Sequence, residues 1–150
     1  MLTNFRVESV EERRLAATDN LVEQSQIPAT IQRSLNQIWP VLRDHASQTG
    51  NNVVIYRSTH SGELAITVGV EVLDLPIEEG DIHPRATPAG RAAVVTHFGD
   101  YTNLGKAYRD LVRWCEQAKL SITDVSWEIY GDWDENPTRR RTDVFLLLAP

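Results

Sequence analysis

A carboxylate set among aromatic side chains at two-residue spacing is the arrangement in this chain best suited to chemistry. The run Asp124-Val-Ser-Trp-Glu-Ile-Tyr-Gly131 has the β-branched and aromatic content of a strand. Side chains alternate along a strand, so Val125, Trp127 and Ile129 point one way while Ser126, Glu128 and Tyr130 point the other. The first set reads as core packed on a helix. The second then faces away from the helices and holds a carboxylate beside a phenol. A final strand, Thr142 to Leu148, places Asp143, Phe145 and Leu147 on one side, where Asp143 offers a second acid to join Glu128. Earlier in the chain, Val54, Tyr56 and Ser58 share a face of another strand.

A buried carboxylate ringed by Tyr, Trp and Phe suits a cationic, aromatic ligand. Opposite charges pair, and the ring quadrupoles add roughly 0.5–2 kcal/mol of cation–π attraction. With no ligand present the same carboxylate is desolvated, which raises its pKa and makes it a proton donor or base. One site can therefore bind or catalyse. The plainer alternative leaves Glu128 on a half-solvated strand with the aromatics as ordinary core.

Other reactive residue types point to no further chemistry. His45, His60, His83 and His97 have no metal-ligand spacing among them, so no metal is expected. His97 reads as a structural hydrogen-bonding residue at a strand end. Cys115 is the single cysteine and falls on an apolar helix stripe, as a small core residue. Arg139-Arg-Arg141 reads as a solvated loop, with counter-ion duty at a pocket mouth as the lesser reading. Without a Gly-rich phosphate loop, a nucleophile elbow or a paired-cysteine motif, no cofactor is expected.

The elements that must position these residues follow one repeated pattern. In the second half, Arg91 to Phe98 reads as a strand ending at Gly99-Asp100. Leu104, Ala107, Tyr108, Leu111, Val112 and Cys115 then form the stripe of an amphipathic helix capped by Thr102 or Asn103, and the two strands around Trp127 and Phe145 follow. In the first half the same order runs from Phe5 to Leu21, which contains the break Glu11-Glu-Arg-Arg14, through a helix carrying Ile31, Leu35, Ile38, Trp39 and Leu42. Pro40 is expected to kink or interrupt that helix. The strands Asn52 to Ser58 and Glu63 to Val72 complete the half and make Tyr56 the counterpart of Tyr130. Asp74 to Pro88, with four prolines or glycines and several acids, reads as an exposed linker. The expectation is a single α+β domain, 1–150, of pseudo-duplicated βαββ units with antiparallel sheets. Its half-repeats are about 1–73 and 89–150, joined by the linker 74–88.

Composition narrows the partners. A chain of 150 residues with 41% hydrophobic and 24% charged residues can build a sizeable core. Fifteen Lys and Arg against 21 Asp and Glu leave a formal charge of -6, the wrong sign for direct nucleic-acid binding. Apolar runs are too short for a membrane span. The N-terminus turns acidic where a secretory signal would carry its apolar core, so a cytoplasmic location is expected.

The stretch His97-Phe-Gly-Asp-Tyr-Thr-Asn-Leu-Gly-Lys-Ala-Tyr-Arg-Asp-Leu-Val-Arg-Trp114 resembles the GyrI-like family, the gyrase-inhibitor-like and AraC-type effector-binding domains. The positions that carry the likeness are His97, Gly99, Tyr101, Leu104, Ala107, Tyr108, Leu111 and Trp114, with Glu128-Ile-Tyr-Gly-Asp132 and Glu63 to Val72 resembling two of its strands. The resemblance implies paired βαββ units with the helices on one side. It also implies a ligand cleft between the halves, with a pocket carboxylate at Glu128. Tyr130, Tyr56, Tyr101, Tyr108, Phe145 and Asp143 are the remaining candidate ligand-binding residues. The chain departs from the pattern at Asp100, where proline is usual, and at Asp143, where glutamate is frequent; Trp133 has no counterpart.

What the resemblance implies is a stand-alone binding protein for hydrophobic, cationic or aromatic small molecules, acting by sensing or sequestration. One alternative is a hydrolase of strained or electrophilic small molecules, with Glu128 as its catalytic residue. The other is an inhibitor or interaction module for a protein partner, contacting it through the acidic surface near Glu78-Glu79.

Overall fold

Eight strands and two helices follow one another in the computed structural model, which describes residues 2–150. In chain order they are β1 (Leu2–Val10), β2 (Arg14–Val22), α1 (Ile27–Asp44), β3 (Thr49–Ser58), β4 (Leu64–Val72), β5 (His83–Ala86), β6 (Gly90–Phe98), α2 (Leu104–Gln117), β7 (Ile122–Tyr130) and β8 (Arg141–Leu148). They divide between two units. Glu12–Thr87 forms one; the chain up to Glu11 together with Pro88–Pro150 forms the other.

Each unit is a four-stranded antiparallel sheet with one helix. In the Glu12–Thr87 unit the strands lie in the order β5-β2-β4-β3, and in the other unit β1-β6-β8-β7. The succession β2-α1-β3-β4 matches β6-α2-β7-β8, so the expected α+β arrangement of antiparallel βαββ units is present in both, and each adds one edge strand. Tyr56 on β3 and Tyr130 on β7 occupy topologically equivalent strands.

Helix α2 forms where its apolar stripe predicts. Leu104, Ala107, Leu111 and Cys115 are buried, packing on Ala93 and Val95 of β6 and on Val144, Leu146 and Leu148 of β8. The Asp100 carboxylate accepts from the Thr102 N–H at 3.3 Å and orders the turn before the helix. Helix α1 buries Thr30, Ser34, Ile38 and Leu42, and its Ile38 and Leu42 join Ala16, Val70 and Val72 in the core of that unit.

Three sequence expectations are altered. Pro40 does not end α1, which continues to Asp44. Its ring lies on the exposed side, so the Asn36 carbonyl that loses a partner faces water. Phe5 to Leu21 is two strands, because the charged break at Glu11-Glu-Arg13 carries the chain from one unit to the other. The segment 74–88 is also more than a linker. Ile77 and Ile82 are buried against α1, and His83–Ala86 is an edge strand on β2, a place where Pro84 costs no needed hydrogen bond. Among the described residues no helix is long and apolar enough to cross a membrane.

Close strand packing makes one glycine necessary. A Cβ on Gly69 of β4 would lie 2.9 Å from the Ala17 Cβ and 3.0 Å from the Ala16 carbonyl oxygen, both on the neighbouring strand β2. Gly69→Ala is expected to destabilise the protein by about 1–3 kcal/mol, the usual cost of overpacking. Urea denaturation measures it, and an unchanged midpoint with unchanged slope would contradict this packing.

Candidate functional site

Strand register decides what Glu128 faces. Directly opposed residues of an antiparallel pair project from the same face, and β7 pairs with β8 as Ser126↔Leu146, Glu128↔Val144 and Tyr130↔Thr142. Val144 and Leu146 are packed under α2, and so is Tyr130. Glu128 therefore faces α2. Trp127 and Ile129, opposed to Phe145 and Asp143, occupy the other face, where the Trp127 and Phe145 rings stack with centroids 5.0 Å apart and planes 2° from parallel.

This reverses the faces expected from the sequence. Trp127 does not pack on the helix, and Glu128 does not turn away from it. The correction extends to Asp143 and Phe145, which lie on the face opposite Glu128 and do not join it. Asp143 has its own partners: its carboxylate accepts from Thr96 Oγ1 at 2.8 Å and from Arg141 Nε at 3.1 Å, while Arg6 of β1 donates to Thr96 at 3.3 Å. Tyr56 belongs to the Glu12–Thr87 unit. There it is opposed to Ile66, on the α1 side of β3, where Trp39 Nε1 also donates to Asn52 Oδ1 at 3.1 Å.

The structure does bring Glu128, Tyr130 and Tyr101 together. Glu128 is only 8% exposed, and its Oε1 accepts a hydrogen bond of 2.6 Å from the Tyr130 hydroxyl. The Tyr130 ring meets Tyr101, at the turn leading into α2, edge to face with centroids 5.6 Å apart. Trp114 stacks on Phe5 of β1, so that flank of α2 faces β1; Tyr108 lies about 120° away around the helix, toward β7, and is 38% exposed.

Trp133, which sequence reasoning did not assign, and Arg140, one of three arginines it read chiefly as a solvated loop, extend this row outward. Trp133, in the loop between β7 and β8, lies 6.4 Å from Tyr101 between centroids and is 65% exposed. Arg140 closes the same loop, its guanidinium carbon 3.7 Å from the centre of the Trp133 ring and 5.7 Å from that of Tyr101. A tryptophan in an otherwise polar loop was one available sign. The run of arginines was the other sign, but Arg139, Arg140 and Arg141 are alike in sequence, so it did not say which one.

Thr142 is a third addition. On the α2 side, His97, Thr142 and Tyr130 form a polar row across β6, β8 and β7. His97 Nε2 lies 3.0 Å from the Asp100 carbonyl, which can only accept, so Nε2 carries the proton. This is the structural role expected for His97. Its Nδ1 and the Thr142 Oγ1 are both buried without a hydrogen-bond partner. Among the described residues no group of three His, Cys, Asp or Glu could hold a metal ion.

Cys115 is buried in the α2 core, and burial, then the neighbouring Glu116 charge, pushes its thiol pKa up. The thiol should therefore resist alkylation in the native protein and react on unfolding; rapid native labelling by iodoacetamide would contradict its packing.

The comparisons with known proteins agree with this architecture. Residues 3–149 match the GyrI-like small molecule binding domain. Among solved structures, the EcmrR C-terminal domain is 20% identical with a TM-score of 0.77, the match covering 97% of each chain. SAV2435 bound to tetraphenylphosphonium is 12% identical with a TM-score of 0.73, covering 98% of this chain and 94% of that one. A hydrolase from Listeria innocua is 9% identical with a TM-score of 0.64, covering 96% and 91%. No curated protein matches the sequence.

Removing the hydroxyl that contacts Glu128 tests the inner end of the row. Tyr130→Phe is expected to cost about 1–3 kcal/mol of stability, the range for a hydrogen bond to a charged group. Chemical denaturation at neutral pH checks it, and a loss below the error of the measurement would show that the hydroxyl does not hold the carboxylate.

Proposed function

This chain belongs to the GyrI-like family of small-molecule binding domains, and on that premise we propose that it binds hydrophobic cations, sensing or sequestering them in the cytoplasm. The observation that carries the proposal is a nearly buried carboxylate, Glu128, at the inner end of a row of aromatic rings. A lipophilic cation satisfies both parts of such a site. Its charge pairs with the carboxylate, and its apolar surface replaces water on Tyr130 and Tyr101. Tyr108 stands at the exposed flank of the helix and supplies further wall. Tyr56 is proposed as the corresponding aromatic of the other unit. The fold shared with a tetraphenylphosphonium complex supports the reading, at an identity that speaks for the fold alone.

Hydrolysis is the second reading. It draws support from the same buried Glu128, already hydrogen-bonded to a phenol, and from the fold shared with a hydrolase. In that reading Glu128 would donate a proton to a leaving group or take one from water, working in a site that excludes bulk solvent.

One substitution separates the two. Glu128→Gln keeps the shape of the side chain and removes its charge. For a binding protein, calorimetry should show tetraphenylphosphonium bound about 10- to 100-fold more weakly by the variant, the equivalent of a lost charge-assisted contact, with a neutral analogue unaffected. Equal affinity of wild type for cation and neutral analogue, unmoved by the substitution, would reject a cation site. For a hydrolase, wild type should turn over a strained or activated electrophile, and the variant should lose a factor of ~10² or more in rate. Absence of wild-type turnover across such a panel would remove the enzyme reading for those substrates.

A further inference from the structure

The outer end of the aromatic row already holds a cation. The Arg140 guanidinium carbon lies over Trp133, 3.7 Å from the ring centre, and it also reaches Tyr101, whose ring touches Tyr130, which in turn donates to Glu128. The stack is anchored on several sides. Arg140 Nε donates to the Asp134 carbonyl at 2.9 Å, its backbone N–H donates to the Pro137 carbonyl at 3.2 Å, and its own carbonyl accepts from Gly99 at 2.9 Å. These bonds tie the β7–β8 loop to the turn that starts α2. The guanidinium is thereby presented to the rings, while its neighbours Arg139 and Arg141 are exposed, Arg141 being paired with Asp143.

We propose that Arg140 is an internal occupant of the cation-binding wall, a latch that an incoming lipophilic cation must displace from Trp133 and Tyr101 and that therefore sets the charge selectivity of the site. The inference rests on the binding reading given above and adds a residue that determines specificity. Its physics is competition. Two cations cannot share the same ring faces, so the latched arginine lowers the fraction of molecules competent to bind and reduces apparent affinity by that fraction. The same charge attracts an anion of equal shape, so selectivity is built by a repulsive element as well as an attractive one. Trp133 is mostly exposed while it carries the stack.

The test compares wild type, Arg140→Gln and, as control, Arg139→Gln, using tetraphenylphosphonium and the isosteric anion tetraphenylborate in titration calorimetry. Arg140→Gln is expected to raise the affinity for the phosphonium by about tenfold, the scale of one cation–π contact, and to lower that for the borate. Arg139→Gln should change neither. In wild type, the Arg140 Nε–H resonance should be displaced by the Trp133 ring current and should return toward its free position as the phosphonium saturates. That measurement stands even if the variant folds poorly. A phosphonium-to-borate ratio identical in wild type and a folded Arg140→Gln, or an Arg140 resonance that stays ring-shifted at saturation, would overturn the latch while leaving the binding site intact. If neither probe binds any form, the binding reading itself falls, and the latch falls with it.

Discussion

Register between β7 and β8 is the constraint on which the candidate site depends. Because Glu128 is opposed to Val144 and not to Phe145, its carboxylate emerges on the side that α2 covers. A slip of one residue would send Trp127 under the helix and Glu128 to the other face, since side chains alternate with a period of two. The pairs around it resist that slip. Trp127 stacks on Phe145, and Tyr130 packs at the end of the α2 core. The position of one acid is thus secured by the packing of its neighbours on both faces.

Placing a carboxylate there is costly unless it is hydrogen-bonded, and the Tyr130 hydroxyl answers that cost directly. The same phenol ring then begins the row that leads through Tyr101 to Trp133. Charge and aromatic surface are consequently coupled: the ring whose hydroxyl stabilises the buried acid is also the inner end of the aromatic row. Opposite in sign and at the far end of the row stands Arg140. The row thus runs from a buried carboxylate at one end to a guanidinium at the other, which the loop between β7 and β8 carries.

The two units apply one design with different polar details. Across the sheet face away from the helix, an edge-strand arginine, a threonine and an aspartate line up in each: Arg6, Thr96 and Asp143 in one unit, Arg85, Thr67 and Asp19 in the other. The acid and the threonine exchange strands between the units, so at these positions the repeat is kept in arrangement and not in residue identity. Asp143 is accounted for by this arrangement.

Much of this was legible in the amino-acid sequence. The stripe Leu104, Ala107, Leu111 and Cys115 specified α2, and alternation specified β7 and β8, because helical and strand periodicities are local properties of the chain. Those same periods grouped Glu128 with Tyr130. What they could not supply was the sign of the face. Ser126, Trp127, Glu128 and Ile129 are all buried, so alternation on β7 separates two sets without saying which meets the helix, and the larger aromatic was assigned there wrongly. Trp133 and Arg140 were out of reach for a related reason: a loop has no period, and which of three adjacent arginines lies on a ring is decided by the turn that carries them. Parity belongs to the strand and is written in the sequence, whereas facing and stacking belong to contacts between elements, which exist only once α2, β8 and the loop are packed together.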